Sequence, residues 1–394
     1  VFDFEEYEPC EHIRSYRPKP IVRKKYVEEA AKLINTAKKP FVVFGQGVML
    51  GRAEKEFIQF LERSGIPAAW TILGMSAIPT DHPLAVGMLG MHGNYGPNVL
   101  TNECDVLIAV GMRFDDRVTG RLDKYAKQAK VIHLDIDPAE IDKNVKTTVP
   151  VWGDCKETLP LLTQLIDKKN HTEWRNKFRD LQKEEDEKCI FPELHPSSGI
   201  LSMGEVIDAL NELTGGNAII VTDVGQHQMV ACRYSKFNQP KSNITSGGLG
   251  TMGFGLPAAI GAKFGAPERP VMSSVGDGGF QMTLQELGTI MQTGLDVKLN
   301  ILNNHFLGMV RQWQQLFNDK RYSFVNIESP DFVTLARAYS IASQRTSDRG
   351  ELKKDLSDML QHKGPYLLEV MVGKENNVFP MVPQGCSVSE IRLM

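Results

Sequence analysis

The chain has 394 residues, more than one compact core holds, and at ~150 residues per domain this length predicts two to three domains. Its 42% hydrophobic and 24% charged residues, with 34 Gly and 21 Pro, exclude a disordered, collagen-like or coiled-coil chain. Lys+Arg 45 against Asp+Glu 48, a formal net charge of −3, excludes a surface built for nucleic acid or anionic membrane, so a small molecule is the expected partner. Six cysteines, Cys10, Cys104, Cys155, Cys189, Cys232 and Cys386, form no CxxC pair, which predicts a reducing, cytoplasmic setting and no zinc site. No apolar run approaches the ~20 residues of a membrane span. The start, Val1-Phe2-Asp3-Phe4-Glu5-Glu6, is acidic where a signal peptide is basic.

Residues 1–20, beginning without an initiator Met and ending in Arg17-Pro18-Lys19-Pro20, read as an interdomain linker at the edge of a truncated product. A central α/β domain is expected over 21–165. It opens with an amphipathic helix over 27–37 and a buried strand over 41–44 that runs into the glycine turn Gly45-Gln46-Gly47. A helix near 53–64 and a short strand over 67–71 follow. The apolar runs 106–111 and 131–134 are further strands, the second closing on Asp135-Ile136-Asp137-Pro138. Residues 166–198 turn polar and then carry Pro192 and Pro196; this charged connector reads as a solvated helix and linker. A second α/β domain over 199–372 shows a helix near 202–213, a strand over 218–222, a glycine-rich stretch over 246–261 and a strand over 270–275. A helix near 283–293, a strand over 297–302, a helix over 332–339 and a strand over 366–372 complete it, leaving 373–394 as a tail. Continuous apolar strands separated by helices predict parallel sheets covered on both faces, so the fold class is α/β with two doubly wound parallel-sheet domains.

The sharpest chemistry lies in Gly276-Asp277-Gly278-Gly279, just after a strand, with Asn303-Asn304 at the end of the next. One helix and one strand separate Asp277 from Asn304, so a right-handed crossover brings both to the carboxyl edge of neighbouring parallel strands, where open α/β sheets bind ligands. A carboxylate and an amide oxygen suit Mg²⁺ that completes its shell with phosphate oxygens and water. The flanking glycines let a diphosphate approach the backbone. The plainer alternative is a strand-end Asp in a glycine turn beside an unrelated Asn-Asn turn.

With this pattern the chain resembles the thiamin-diphosphate enzymes, whose motif is GDG followed by NN. The likeness extends to the large catalytic subunits of acetolactate synthase (acetohydroxyacid synthase) through Thr222-Asp223-Val224-Gly225-Gln226-His227, Gly250-Thr251-Met252-Gly253-Phe254-Gly255, Gly308-Met309-Val310-Arg311-Gln312-Trp313, Met88-Leu89-Gly90-Met91-His92-Gly93 and Gly111-Met112-Arg113-Phe114-Asp115-Asp116-Arg117. It covers nearly the whole chain. The resemblance implies a flavin-associated central domain and a C-terminal domain that binds thiamin diphosphate. Gln226, His227, Gly250, Met252, Gly276, Asp277, Gly278, Gly279, Asn304, Phe306, Leu307, Gly308 and Met309 match the thiamin-diphosphate positions. Mg²⁺ falls to Asp277, Asn304 and the backbone carbonyl of Phe306. FAD falls to segments that include Thr71, Ile72, Met91, His92, Gly93, Gly111, Arg113, Asp135, Ile136 and Asp154, and 2-keto acid substrates to Arg117, Met309, Val310 and Trp313.

Several of these residues also have plainer readings. Met252 and Trp313 suit core packing, His227 a structural hydrogen bond, Arg117 a surface salt bridge with Asp115 or Asp116, and Asp135 a helix cap ahead of Pro138. Gly45-Gln46-Gly47 is only part of a dinucleotide fingerprint, because Leu50 stands where the third glycine belongs. The resemblance implies condensation of two pyruvates to 2-acetolactate, or of pyruvate with 2-ketobutyrate to 2-aceto-2-hydroxybutyrate, in branched-chain amino-acid biosynthesis. It further implies a homodimer or homotetramer with a small regulatory subunit, and no nucleic-acid or membrane partner. Family members begin with another domain, which carries the glutamate that activates the cofactor; no residue of this chain matches it, so no catalytic residue is assigned and this chain alone is expected to show little turnover. A thiamin-diphosphate oxidase or decarboxylase, or a non-catalytic nucleotide-binding protein, are the other readings.

Overall fold

The structure, a computed structural model, describes residues 6–10 and 19–394; most of the linker expected over 1–20 lies outside them. The chain builds two six-stranded, wholly parallel sheets. The first comprises β1 (Pro40–Phe44), β2 (Ala68–Trp70), β3 (Ala85–Met88), β4 (Val106–Val110), β5 (Lys130–Asp135) and β6 (Val149–Trp152), in the order β3-β2-β1-β4-β5-β6. The second comprises β7 (Ile219–Thr222), β8 (Asn243–Thr245), β9 (Val271–Gly276), β10 (Lys298–Asn303), β11 (Ala342–Thr346) and β12 (Tyr366–Met371), in the order β11-β12-β10-β9-β7-β8. Every residue of β1, β4, β7, β9 and β10 is buried, because helices cover both faces of a sheet joined by parallel crossovers. That double cover is why these strands read as unbroken apolar runs.

Strand order fixes where ligands can go. Connections reverse direction between β1 and β4 in the first sheet and between β7 and β9 in the second, and the crevice at such a reversal, at the carboxyl ends of the strands, is the binding position of open α/β sheets. The first sheet has the strand order of dinucleotide-binding domains although Gly45-Gln46-Gly47 lacks the full fingerprint.

The connector is more than a solvated linker. Its helix Thr172–Glu185 buries Trp174 and Phe178 against Phe41 of β1, with ring centroids of Phe41 and Phe178 at 5.1 Å. The helix ends on Glu185, fully buried, whose Oε1 meets Arg233 Nη1 at 2.6 Å. Lys298 is also buried, its ammonium donating to the carbonyls of His362 and Gly364. The tail beyond β12 crosses back to the first sheet: Val382 N–H donates to the Met91 carbonyl at 2.7 Å, Ser387 bridges Gly120, and Val388 joins the first sheet's core. Among the described residues no helix is long and apolar enough to cross a membrane.

Candidate active site

The carboxyl ends of both sheets open on one continuous cavity of about 1290 Å³, larger than the ~300–1,000 Å³ of a typical single-ligand pocket. Asp277 follows β9 and Asn304 follows β10, the neighbouring strand, and both line it. Asp277 is 1% exposed; its Oδ2 accepts from the Ser329 hydroxyl at 2.9 Å, while Oδ1 is buried with no partner. Burial lifts its carboxyl above the usual range, against the opposing pull of Ser329, His305 and nearby backbone amides. An unpartnered buried carboxylate oxygen is relieved by a cation. Asn304 is buried too; its Oδ1 accepts from Phe306 N–H at 3.1 Å and keeps a second lone pair. The Asp277 carboxylate and the Asn304 amide oxygen are hard donors that fit Mg²⁺, and Phe306, whose carbonyl would complete the set, lines the cavity with them. Among the described residues no three His, Cys, Asp or Glu gather as a metal cage, and a Mg²⁺ ion held by one or two protein side chains commonly completes its shell with phosphate oxygens and water.

His227, in the first turn of the helix Gln226–Tyr234, lies over the glycines of this edge: a Cβ at Gly276 would sit 2.8 Å from its Nδ1. Burial pushes the imidazole down to about 4, so it is neutral, and its Nε2 has no partner. His227 also lines the cavity, and its unpartnered nitrogen makes it a candidate ligand contact.

Met252 reaches the cavity from a loop gripped on two sides. The buried Asp223 carboxylate accepts from the N–H groups of Gly253 and Gly255 at 3.1 and 2.9 Å, and the Gly253 carbonyl accepts from Thr283 Oγ1 at 2.9 Å. Met252 belongs to none of the core clusters, so it is a cavity wall rather than core filling. The helix Gly308–Phe317 has the same character in a stronger form. Its only buried residues are the polar Arg311 and Gln312, which bond the tail at Asn377 and Val378, whereas Met309, Val310 and Trp313 line the cavity. Trp313 stacks on Phe317 at 4.8 Å.

From the first sheet, Thr71, Ile72, Met91, His92, Gly111, Arg113, Arg117, Asp135, Ile136 and Asp154 all line the same cavity. Gly93 does not; it lies behind the wall, with its carbonyl accepting from Arg233 Nη2 at 3.1 Å. At the β1–β4 crevice a Cβ on Gly45 would lie 2.5 Å from the Gly111 carbonyl, so the two loops can meet only as glycine, and together they leave an open cradle. That cradle and the surplus volume fit a second, dinucleotide-sized ligand such as FAD. Asp135 caps no helix: its Oδ1 accepts from Asp137 N–H at 2.9 Å in a turn. Arg117 forms no ion pair among the described residues; its Nη1 reaches only the Met91 sulfur, at 3.9 Å, which leaves a cationic fork free toward the cavity. Gly45, Gln46, Leu50, Asp115 and the tail's Gln384 also line the cavity and were not expected to.

His92 has a pH consequence. It is buried between Arg233 and Arg117, and burial together with those guanidiniums pushes its imidazole from 6.5 down to about 3. A folded value below the unfolded one gives stability that is complete above pH 6.5 and lost as pH falls toward 3. Between pH 6.5 and 5 its share is about 2 kcal/mol. Urea unfolding of His92→Asn at these two pH values is expected to show a correspondingly shallower loss than the unaltered chain; an equal loss contradicts the assignment.

Comparison with known proteins agrees with this geometry. Residues 27–162 match the family described as thiamine pyrophosphate enzyme, central domain, and residues 223–370 match thiamine pyrophosphate enzyme, C-terminal TPP binding domain. The chain is 42% identical over 388 residues to the probable acetolactate synthase large subunit of Methanocaldococcus jannaschii, covering 95% of this chain and 64% of that protein. It is 42% identical over 366 residues to the acetolactate synthase isozyme 2 large subunit of Escherichia coli, covering 93% and 65%. To the acetolactate synthase large subunit of Haemophilus influenzae it is 37% identical over 393 residues, covering 98% and 68%. The chain thus spans about two thirds of the length of these relatives.

Proposed function

The chain belongs to the family of acetolactate synthase large subunits, and from that premise we propose that it takes part in thiamin-diphosphate-dependent condensation of pyruvate with a second 2-keto acid. The products are 2-acetolactate from two pyruvates, or 2-aceto-2-hydroxybutyrate when 2-ketobutyrate is the acceptor, each with loss of one CO₂. The observation that carries the proposal is convergence: Arg117 from the first sheet and Met252, Met309 and Trp313 from the second line the same cavity as Asp277 and Asn304.

Bound thiamin diphosphate supplies a nucleophilic carbon and an electron sink for decarboxylation. The chain's residues hold and orient. Asp277, Asn304 and the Phe306 carbonyl would hold Mg²⁺ at the diphosphate, with Gln226, His227 and the glycines Gly276, Gly278 and Gly279 around it. Met252, on a loop fixed through Asp223 and Thr283, would support the cofactor and help to orient it. Arg117 takes the substrate carboxylate, and the apolar side chains of Met309, Val310 and Trp313 face the acceptor's alkyl group and exclude water. Thr71, Ile72, Met91, His92, Gly111, Arg113, Asp135, Ile136 and Asp154 along the first sheet's edge would hold FAD. None of the described residues is assigned the proton transfer at the cofactor's aminopyrimidine ring. We extend the proposal to a cytoplasmic homodimer or homotetramer with a small regulatory subunit, in keeping with relatives named as large subunits.

Product analysis of pyruvate turnover by protein containing this chain, with thiamin diphosphate, Mg²⁺ and FAD, tests the reading. Acetolactate is expected; acetaldehyde or peroxide as the main product would favour a decarboxylase or oxidase instead. Within that assay Arg117→Gln is expected to lower kcat/KM for pyruvate about 10–100-fold, the value of ~1.5–3 kcal/mol for a charged hydrogen-bonded contact. Arg117→Lys should recover little, since an ammonium cannot match the bidentate fork.

A further inference from the structure

The first asparagine of the Asn303-Asn304 pair turns away from the cavity. Asn303 ends β10 and is 1% exposed; its Nδ2 donates to Glu369 Oε1 on β12 at 2.7 Å, and its Oδ1 accepts from His305 N–H at 3.0 Å. Glu369, also 1% exposed, is held in turn by Arg345 of β11, whose Nε donates to Oε2 at 2.7 Å and whose Nη2 reaches Asp331 at 3.1 Å. A carboxylate can only accept here, so it fixes which end of the Asn303 amide faces it and turns the amide oxygen toward the following loop. The loop needs that help. His305 sits at φ 56°, a left-handed conformation costly for a residue with a Cβ, and its neighbour Phe306 must still direct a carbonyl at the site.

We propose that Glu369 is a positioning residue for the metal-binding turn. Through Asn303 it fixes the turn at His305, so that the Asn304 side chain and the Phe306 carbonyl reach one cation together, and Arg345 holds the other oxygen of the buried carboxylate in place for that task. Arg345 of β11, Glu369 of β12 and Asn303 of β10 thereby support from behind a cavity that none of the three lines. The inference rests on the Mg²⁺ reading of Asp277 and Asn304.

The test measures the Mg²⁺ concentration that half-saturates thiamin diphosphate binding, followed by tryptophan fluorescence, in the unaltered chain and in Glu369→Gln and Asn303→Ala. Both variants are expected to need about 10–100-fold more Mg²⁺, as loss of an outer partner does at metal sites, and to recover binding when Mg²⁺ is saturating. Leu367→Ala, a buried apolar truncation in the same strand, serves as the stability control: it should lower the urea midpoint and leave the Mg²⁺ requirement unchanged. If Glu369→Gln does not fold, Asn303→Ala at the strand end carries the test. Variants that bind Mg²⁺ within twofold of the unaltered chain overturn the positioning role while the metal site stands. A Mg²⁺ requirement shifted equally by Leu367→Ala overturns it as a mere stability effect. An unaltered chain that binds thiamin diphosphate without needing Mg²⁺ overturns the metal reading, and the inference with it.

Discussion

Asp277→Asn is expected to weaken Mg²⁺-dependent binding of thiamin diphosphate by about 100-fold or more, because it removes a direct ligand where loss of an outer partner already costs about 10–100-fold. The side chain keeps its shape, so packing is undisturbed, but the only anionic group of the proposed oxygen set is gone. Folding should respond in the opposite sense. In the unliganded chain Oδ1 of Asp277 is buried without a partner, and burial disfavours the carboxylate; an amide in its place carries no charge to desolvate. The unfolding midpoint of unliganded Asp277→Asn, measured in urea, is therefore expected to equal or exceed that of the unaltered chain. Loss of binding together with loss of folding would mean that Asp277 serves the scaffold, and unchanged binding would remove it from the metal site.

The second large effect is on the scaffold. Arg233→Met is expected to lower stability by about 3–5 kcal/mol, since it leaves Glu185 buried and without its counter-charge. Arg233 and Glu185 are 1% and 0% exposed, and their surroundings belong to four separate parts of the chain. Glu185 ends the connector helix and accepts from Asn94 Nδ2 and Tyr95 N–H, while Arg233 donates to the carbonyls of His92, Gly93 and Pro380. One ion pair thus ties the connector, the cavity wall at His92, the helix behind His227 and the tail. The pair is a liability alone and neutral when both charges go together, so the double variant Glu185→Gln/Arg233→Met should recover part of the loss. Chemical denaturation of the unaltered chain, Arg233→Met, Glu185→Gln and the double variant checks this. A double variant as unstable as the sum of the singles would show the pair to be uncoupled.

The central strands were legible in the sequence and the sheet edges were not. β1, β4, β9 and β10 are buried on both faces, so each must be an unbroken apolar run, and a run of that length between helices has one plausible reading. The four strands that sequence reading passes over, β3, β6, β8 and β11, are the four sheet edges. Edges are short and partly wet. β3 contains Gly87 at φ 100°, β6 contains Pro150, β8 has three residues, and β11 reads Ala-Ser-Gln-Arg-Thr with only its last residue buried.

The site divides along a similar line. Asp277 and Asn304 were accessible because their spacing alone places them on adjacent strand ends. The helix Gly308–Phe317 defies pattern reading: it buries Arg311 and Gln312 and turns Met309, Val310 and Trp313 to the cavity, so amphipathic logic assigns the wrong face to the core. Glu185 sat in a charge run that looked solvated, and only Arg233, 48 residues away, reveals otherwise. The tail's Gln384 carries no local signal at all; it reaches the cavity because Val382 and Val388 dock on the first sheet.

The central claim is a metal-dependent diphosphate site at the carboxyl ends of β9 and β10. Its most direct test is a calorimetric titration of thiamin diphosphate into the unaltered chain, once with Mg²⁺ and once with EDTA. Saturable binding with Mg²⁺ that disappears in EDTA is the predicted result; binding of equal strength in both, or in neither, contradicts the account.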